Sequence, residues 1–409
     1  MHEYISAYAM VRAMRPEHPV YCLRPHAVAV ASRWFQEYFP GRVLFAVKTN
    51  PHFIDTVAAA GIQHFDVASL PEIELVSKLV PGARLSFMHP IKSRAAIRRA
   101  YFEFGIRDFS LDCEAELDKI LEETGDARDL NLFVRVAVSN RHSCLQLAGK
   151  FGASGATAAR LLLRARQISN KLGICFHAGS QIMRPDAYSE AMEEVADLIR
   201  RSGVIIDVLD VGGGFPSIYP DLAPPPLTDF FNHIVDCFEQ MPVSETCELW
   251  CEPGRALVAE GASLVVKVEM RKDQVLYLND GTYGGLFDAG QPRFIFPTSR
   301  LQADIRSRQE LLEFSFYGPT CDSMDYMPGP FLLPNDIEEG DYLEIGGLGA
   351  YSMQLRTTFN GYSDYALVNV NDAPQLSLFG KNRAVHESTI TSIFEEDGHE
   401  AGQQPGEIQ

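Results

Sequence analysis

Lys48 ends the apolar run Val43-Leu44-Phe45-Ala46-Val47 and is followed at once by Thr49-Asn50-Pro51. A buried strand that carries an ammonium to its C-terminal lip must compensate for desolvation, which disfavours the charged amine. Two arrangements do this: an acidic partner, or a lowered pKa that leaves the amine a nucleophile for a carbonyl. Taken alone, a snorkelling lysine or a plain salt bridge accounts for the residue better, and it is the rest of the chain that reverses the balance. Further along, Gly212-Gly213-Gly214 lets backbone N–H groups approach an anion with no side chain in the way, although a tight turn also explains a triglycine. Glu252-Pro253-Gly254-Arg255 sets an acid and a guanidinium within one turn. The arginine suits a phosphate, and the glutamate can hold a proton on a ring nitrogen. His177 can pack flat on an aromatic ring, or serve as a hydrogen-bonded core histidine.

These residues need a frame that brings them together. Between residues 43 and 255 a short apolar strand followed by a mostly helical stretch recurs eight times. The strands read as Val43–Lys48, His64–Ala68, Leu85–His89, Asp108–Asp112, Leu132–Val138, Gly173–His177, Val208–Val211 and Glu248–Glu252. Helical periodicity is clear in Glu72–Leu79, Ala95–Phe102, Glu114–Glu122, Ala156–Ser169 and Tyr188–Arg201. Eight units over about 210 residues match the size of an α/β protein of the (β/α)8 TIM-type barrel class, with a doubly wound open sheet as the other candidate. In a barrel the active site gathers the C-terminal strand ends. Those ends carry Lys48, Asp66 with Ser69, His89, Asp112, Arg135, His177 with Ser180, the triglycine, and Glu252 with Arg255.

After Gly261 the texture changes to β-rich segments separated by Gly, Pro and Asp turns: Ser263–Met270, Gln274–Asn279, Phe314–Tyr317, Tyr342–Ile345 and Tyr365–Asn369. The expected layout is an N-terminal segment (1–25) packing with the β domain, a barrel (26–260), a mainly β domain (261–385) and an acidic, disordered tail (386–409). The chain has 409 residues with 46% hydrophobic and 22% charged, and a net charge of -18. That charge argues against nucleic acid or an anionic membrane as the main partner. No stretch is long and apolar enough to span a bilayer, and Met1-His2-Glu3-Tyr4 lacks the features of a signal peptide. The 8 cysteines have no C-x-x-C spacing; Cys247 and Cys251, the closest pair, have no nearby histidines, so no metal site is expected. Reduced thiols and a cytoplasmic location follow.

A phosphate cradle, a ring-nitrogen acid and a carbonyl-seeking lysine together describe pyridoxal 5'-phosphate, bound to the lysine as a Schiff base. A phosphosugar aldolase would share the barrel, lysine and phosphate site, but has no evident use for Glu252 or the β domain.

At these residues the chain resembles the fold-type III pyridoxal-phosphate decarboxylases, which share an alanine racemase-like barrel, and most closely the eukaryotic-type ornithine decarboxylases. The resemblance rests on Phe45-Ala46-Val47-Lys48-Thr49-Asn50, Phe65-Asp66-Val67-Ala68-Ser69, Phe176-His177-Ala178-Gly179-Ser180, Gly212-Gly213-Gly214-Phe215-Pro216 and Glu252-Pro253-Gly254-Arg255. It continues through Asn279-Asp280-Gly281-Thr282-Tyr283-Gly284, Gly318-Pro319-Thr320-Cys321-Asp322-Ser323-Met324-Asp325, Gly349-Ala350-Tyr351 and Phe359-Asn360-Gly361.

The resemblance implies roles. Lys48 forms the Schiff base, His177 stacks on the ring and Glu252 pairs with its nitrogen. Ser180, Gly213, Gly214, Gly254, Arg255 and Tyr351 hold the phosphate region, with Asp66 and Arg135 supporting the lysine. Cys321 is the proton donor, and Asp288 and Asp322 receive the distal ammonium of a basic amino acid beside Tyr283 and Phe359. In the family Cys321 and Asp322 reach in from a partner subunit, which implies a homodimer, and Lys150 with Asp325 matches an inter-subunit ion pair. A thiol suits proton donation because its pKa is tunable near neutrality.

After Tyr283-Gly284 the segment Gly285-Leu286-Phe287-Asp288 looks shorter than the family's usual loop, so placing Asp288 assumes a deletion. The implied activity is decarboxylation of L-ornithine to putrescine for polyamine synthesis, with lysine to cadaverine alongside, since one methylene is worth only about 1–3 kcal/mol. A catalytically silent homologue that binds a regulatory protein is the alternative of another class. Gln181 is shared with diaminopimelate decarboxylases, but those carry Glu where Asp322 stands, and biosynthetic arginine decarboxylases of this fold are much longer.

Overall fold

The computed structural model describes residues 2–139, 143–145, 149–301 and 310–379. The strand–helix alternation closes into a ring of parallel strands. In order around it run Arg42–Val43, Glu248–Cys251, Val208–Asp210, Lys171–Cys175, Asn131–Arg135, Asp108–Leu111, Arg84–Phe87, His64–Val67 and Phe45–Ala46. The first and last pieces are halves of one strand split at Leu44. Arg42–Val43 pairs with Trp250–Cys251 and Phe45–Ala46 with Phe65–Asp66, so this strand shuts the barrel and its staves number eight.

Strand alternation sorts the core. Leu44, Met88, Phe133, Cys175, Val208 and Trp250, drawn from around the ring, form one buried cluster that fills the interior. The Phe133 ring tilts over Trp250 at 5.1 Å. Truncating either aromatic would cost about 3–5 kcal/mol, because the ring of strands cannot collapse onto the void. Alternate residues such as Phe45, Phe65, Phe109, Val134 and Leu209 join a second cluster under the outer helices. Asp186–Ser202 shows how those helices dock. It buries Tyr188, Ala191, Met192, Val195, Ala196 and Ile199 along one stripe and stops at Gly203, whose φ of 67° suits glycine. Leu227–Gln240 and Ile54–Ala59 escape the sequence reading. The second is only six residues long. The first carries a legible stripe, Leu227, Phe230, Phe231 and Ile234.

Lys48 does not end a strand, in correction of the Val43–Lys48 assignment. Strand pairing stops at Ala46, and Val47–Thr49 forms a 3-10 turn. Asn50, which precedes Pro51, is extended (φ -166°, ψ 100°), the conformation the proline ring imposes on its neighbour.

The second sheet joins both ends of the chain. Val20–Leu23 pairs antiparallel with Ala262–Lys272 and parallel with Ala366–Val370, and His2–Tyr4 lies beyond on Ala366–Val370. Val275–Leu278, Leu311–Tyr317 and Tyr326–Pro334 extend the other side, while Tyr342–Ile345 and Thr298–Arg300 branch from Ala262–Lys272. Arg24, 2% exposed, fastens the junction through Ser263 Oγ and Glu344 Oε1, both at 2.7 Å. Tyr326–Pro334 is not legible as a strand because Pro328, Gly329 and Pro330 interrupt it. Among the described residues it pairs only with Leu311–Tyr317, at the edge of the sheet, where proline is tolerated. Among the described residues no helix is long and apolar enough to cross a membrane.

Candidate active site

The lysine turn is anchored on three sides. Lys48 Nζ donates to Asp66 Oδ2 at 2.8 Å, and Asp66 is 2% exposed on the neighbouring strand, in register with Ala46. Asn50, given no role by sequence reasoning, donates from Nδ2 to Gly349 O at 2.8 Å and accepts from Gln354 Nε2 at 3.0 Å. Tyr351 N–H donates to Thr49 O at 3.2 Å. Burial pulls the Lys48 amine down, but Asp66 and then Glu252 and Tyr351 more than reverse it, so the amine stands above the ordinary lysine range. The side chain is 41% exposed to the barrel mouth, and water there screens part of that field. Of the two arrangements open to a lip lysine, the structure contains the acidic partner.

The triglycine follows the strand Val208–Asp210. Gly212 and Gly214 have φ of 71° and 99°. Gly212 O accepts from Glu252 N at 2.8 Å, Gly213 O from Tyr188 Oη at 2.9 Å and Gly214 O from Ile182 N at 3.0 Å. Their carbonyls are thus spent on the scaffold, while the N–H groups of Gly213 and Gly214 donate to nothing among the described residues. A Cβ on Gly214 would stand 2.3 Å from Gly179 O; one on Gly213 would stand 2.6 Å from Glu252 O and 3.6 Å from His177 Nε2. His177 therefore faces the glycine turn. Its Nδ1 accepts from Gly179 N–H at 3.1 Å, and burial, then Arg135 and Lys48, push its pKa down to about 3. The imidazole is neutral.

Glu252 lies at the same lip, its carboxyl raised well above the usual range by burial and by the Asp210 and Asp66 charges. Asp210, fully buried, is pushed up to about 7, chiefly by burial. Sequence reasoning passed over Asp210; the signal available was a lone carboxylate ending the apolar stretch before the triglycine. Arg135 lies over the Phe151 ring at 5.5 Å and acts on His177 and Glu252 through its charge.

Arg255 is 5% exposed. Its Nη1 donates to Tyr219 Oη at 2.8 Å, Nη2 to Asp288 Oδ2 at 3.0 Å, and its plane lies 5.0 Å from the Tyr351 ring centroid. Its Nε is buried without a partner. Asp288 is 5% exposed and engaged with this guanidinium; burial still holds its carboxyl above the usual range, against the opposing pull of Arg255. The short loop folds Asp288 inward onto Arg255. Ser180 opens the strand Ser180–Ile182, paired with Ser143–Leu145, and Gly254 sits against Thr49, where a Cβ would lie 2.3 Å from Thr49 Cγ2.

A second group forms in the β domain. Tyr283 Oη donates to Asp322 Oδ2 at 2.5 Å, Met324 N–H to Asp322 Oδ1 at 2.9 Å, and the Tyr283 and Phe359 rings tilt together at 4.9 Å. The Met324 amide and then the Tyr283 hydroxyl hold the Asp322 carboxyl below its usual range. Cys321 is exposed, its amide donating to Asn360 Oδ1 at 3.1 Å. Among the described residues no hydrogen bond or ion pair joins this group to the Lys48 group. Asp325 is fully buried; Thr282 and Thr320 each donate an amide and a hydroxyl to it at 2.7–3.1 Å. Four donors fill its lone pairs, so within one chain it braces its own domain. Lys150 is exposed and leans on the Phe151 ring at 5.1 Å.

These features fit pyridoxal phosphate: unspent N–H groups in a cradle that any side chain would fill, a dry guanidinium Nε, and an amine and a carboxyl across the same mouth. The family model for the pyridoxal binding domain of pyridoxal-dependent decarboxylases matches residues 26–259. A lysine/ornithine decarboxylase of Selenomonas ruminantium is 29% identical over 349 residues, 81% of this chain and 84% of the relative. Antizyme inhibitor 2 of Xenopus laevis is 31% identical over 346 residues, 78% and 73% of the two chains. The arginine decarboxylase of Paramecium bursaria Chlorella virus superposes with a TM-score of 0.79 at 26% identity, over 88% of this chain and 98% of that one. The chain belongs to the pyridoxal-dependent ornithine/lysine/arginine decarboxylase family, and its cofactor is pyridoxal 5'-phosphate.

Proposed function

We propose that the protein decarboxylates L-ornithine to putrescine in the cytoplasm, as a step of polyamine synthesis, and takes L-lysine as a second substrate. The observation that carries this reading is Asp322, a carboxylate kept ionised by the Met324 amide and clamped by the Tyr283 hydroxyl, one residue from an exposed thiol. An ionised carboxylate beside aromatic faces attracts the distal ammonium of a diamino acid.

The cofactor supplies an electron sink for the pair released with carbon dioxide. Lys48 is the attachment point, kept in place by Asp66. The Gly213 and Gly214 amides, Ser180, Arg255 and Tyr351 would hold the phosphate, Glu252 would meet the ring nitrogen and neutral His177 would pack against the ring. Cys321 gives its proton to the carbon that lost carbon dioxide. Since Cys321 and Asp322 form a group apart from Lys48, a head-to-tail homodimer completes each site. With Asp288 held by Arg255, Asp322 is the carboxylate left for the distal ammonium, which favours overlap between ornithine and lysine. Chain length no longer argues against arginine, because the viral arginine decarboxylase is matched over 98% of its length.

The similarity to an antizyme inhibitor supports a second reading, a protein-binding role without catalysis. Retention of Lys48, Arg255, Cys321 and Asp322 weighs against it. Assaying the purified protein on ornithine, lysine, arginine and diaminopimelate tests both: putrescine as the main product supports the first reading, and no diamine from any substrate overturns it.

A further inference from the structure

Asp210 ends the seventh barrel strand and Glu252 follows directly on the eighth. The strands are in register at Asp210 and Trp250; Val211 N–H donates to Trp250 O at 3.0 Å and Glu252 N–H to Gly212 O at 2.8 Å. Both carboxyls thus rise from neighbouring strands at one lip. Asp210 Oδ1 accepts from Gly212 N–H at 2.8 Å, on the turn that forms the phosphate cradle. Asp210 Oδ2 and Glu252 Oε1 are both sealed from water and receive no donor. Glu252 as a whole keeps partial exposure, which leaves Oε2 as the oxygen open to the mouth.

Two dry acceptors without a donor are costly, and one proton between them satisfies both. Among the described residues no cation donates to either oxygen. The Lys48 ammonium is engaged by Asp66, and the Arg135 guanidinium lies over Phe151. The remaining titratable neighbours are the Cys175 and Cys251 thiols from the sixth and eighth strands, which burial holds protonated. Burial raises both carboxyls, the Asp210 charge raises Glu252 further, and a hydrogen bond from Glu252 favours the ionised form of Asp210, so the proton rests on the Glu252 side of the pair.

We propose that Asp210 is a positioning residue for Glu252: the two share one proton between Oδ2 and Oε1, so the pair carries a single charge and presents Glu252 Oε2 to the cofactor's ring nitrogen. No bond breaks; the proton is held, and Asp210 itself does not touch the cofactor. The proposal rests on the reading that Glu252 meets the ring nitrogen.

The test compares Asp210→Asn, Asp210→Ala and Glu252→Ala. An asparagine keeps Oδ1 for the Gly212 amide and places an N–H where the shared proton was. Asp210→Asn should bind pyridoxal phosphate within a few-fold of the wild type, by quenching of tryptophan fluorescence. Asp210→Ala should bind about ten-fold more weakly or worse, the factor carried by one hydrogen bond to a charged group. It should also alter the pH dependence of the bound cofactor's absorbance. Equal affinity for Asp210→Ala and wild type, or equal losses in Asn and Ala, overturns the proposal. If Asp210→Ala does not fold, the infrared difference spectrum of the wild-type and Asp210→Asn apoproteins at neutral pH decides. A protonated-carboxyl stretch belonging only to the wild type supports a shared proton, and its absence refutes one. Should Glu252→Ala leave the bound cofactor's absorbance unchanged, the ring-nitrogen reading fails, independently of Asp210.

Discussion

Arg255 Nη2 and Asp288 Oδ2 meet at 3.0 Å with side chains only 4% and 7% exposed. Asp288 is thus engaged with the guanidinium that the resemblance assigns to the phosphate. Removing one partner of a buried pair costs about 3–5 kcal/mol, because the other charge is left dry. Asp288→Ala should destabilise the apoprotein to urea by that order and weaken cofactor binding, with little change in the KM for ornithine. A large rise in KM at unchanged cofactor affinity would return Asp288 to the substrate pocket.

The Lys48–Asp66 pair makes a prediction about pH. A folded pKa above the unfolded value contributes stability below the unfolded lysine value of about 10.4, and loses it only as pH climbs past the folded one. Asp66 thus favours the ammonium throughout the neutral range, and condensation with an aldehyde must wait for its deprotonation. Loading of the apoprotein with pyridoxal phosphate should accelerate as pH rises from about 7 to 10, and Asp66→Asn should move that rise to lower pH. Superimposable profiles for the two proteins would count against the pair. Borohydride should fix the cofactor to Lys48, and a peptide map with another lysine labelled would remove the mechanism.

Shared sites can be tested by mixing. Lys48→Ala and Asp322→Ala proteins should each be inactive. Co-refolded in equal amounts they should recover about a quarter of wild-type activity, since half the dimers are mixed and each of those has one intact site. No recovery, with mixed dimers demonstrated, would place both residues in a site within one chain. In the same assembly Cys321→Ala should still bind cofactor but release diamine poorly; an unchanged product distribution would assign the proton to another group.

Glu260, 7% exposed, holds the C-terminal segment: its Oε2 accepts from Ser377 Oγ at 2.5 Å and its Oε1 from Leu378 N–H at 2.6 Å. Burial pushes its carboxyl up to about 7 against those donors. A raised carboxyl favours the protonated fold, so its contribution is complete below the unfolded value of about 4.3 and is lost as pH rises through 7. Glu260→Gln should remove part of the fall in Tm between about pH 5 and pH 8. Identical slopes in variant and wild type would mean that Glu260 stays ionised.

The barrel and the β sheet beyond it were legible from residue order, as was the placing of Lys48 at the barrel lip. Strand and helix periodicities are local, and the glycine and proline constraints around Lys48, Gly212 and Gly254 act within a few residues. Pairing partners are not local. Nothing in the run before Thr49 says that Asp66 will hold the ammonium, that a short loop will turn Asp288 onto Arg255, or that Thr282 and Thr320 will seal Asp325 inside its domain. The buried carboxyl of Asp210 acquired its meaning only when ring closure set its strand against the one leading to Glu252. Charge pairing depends on which atoms share a dry space, and only the folded chain determines that.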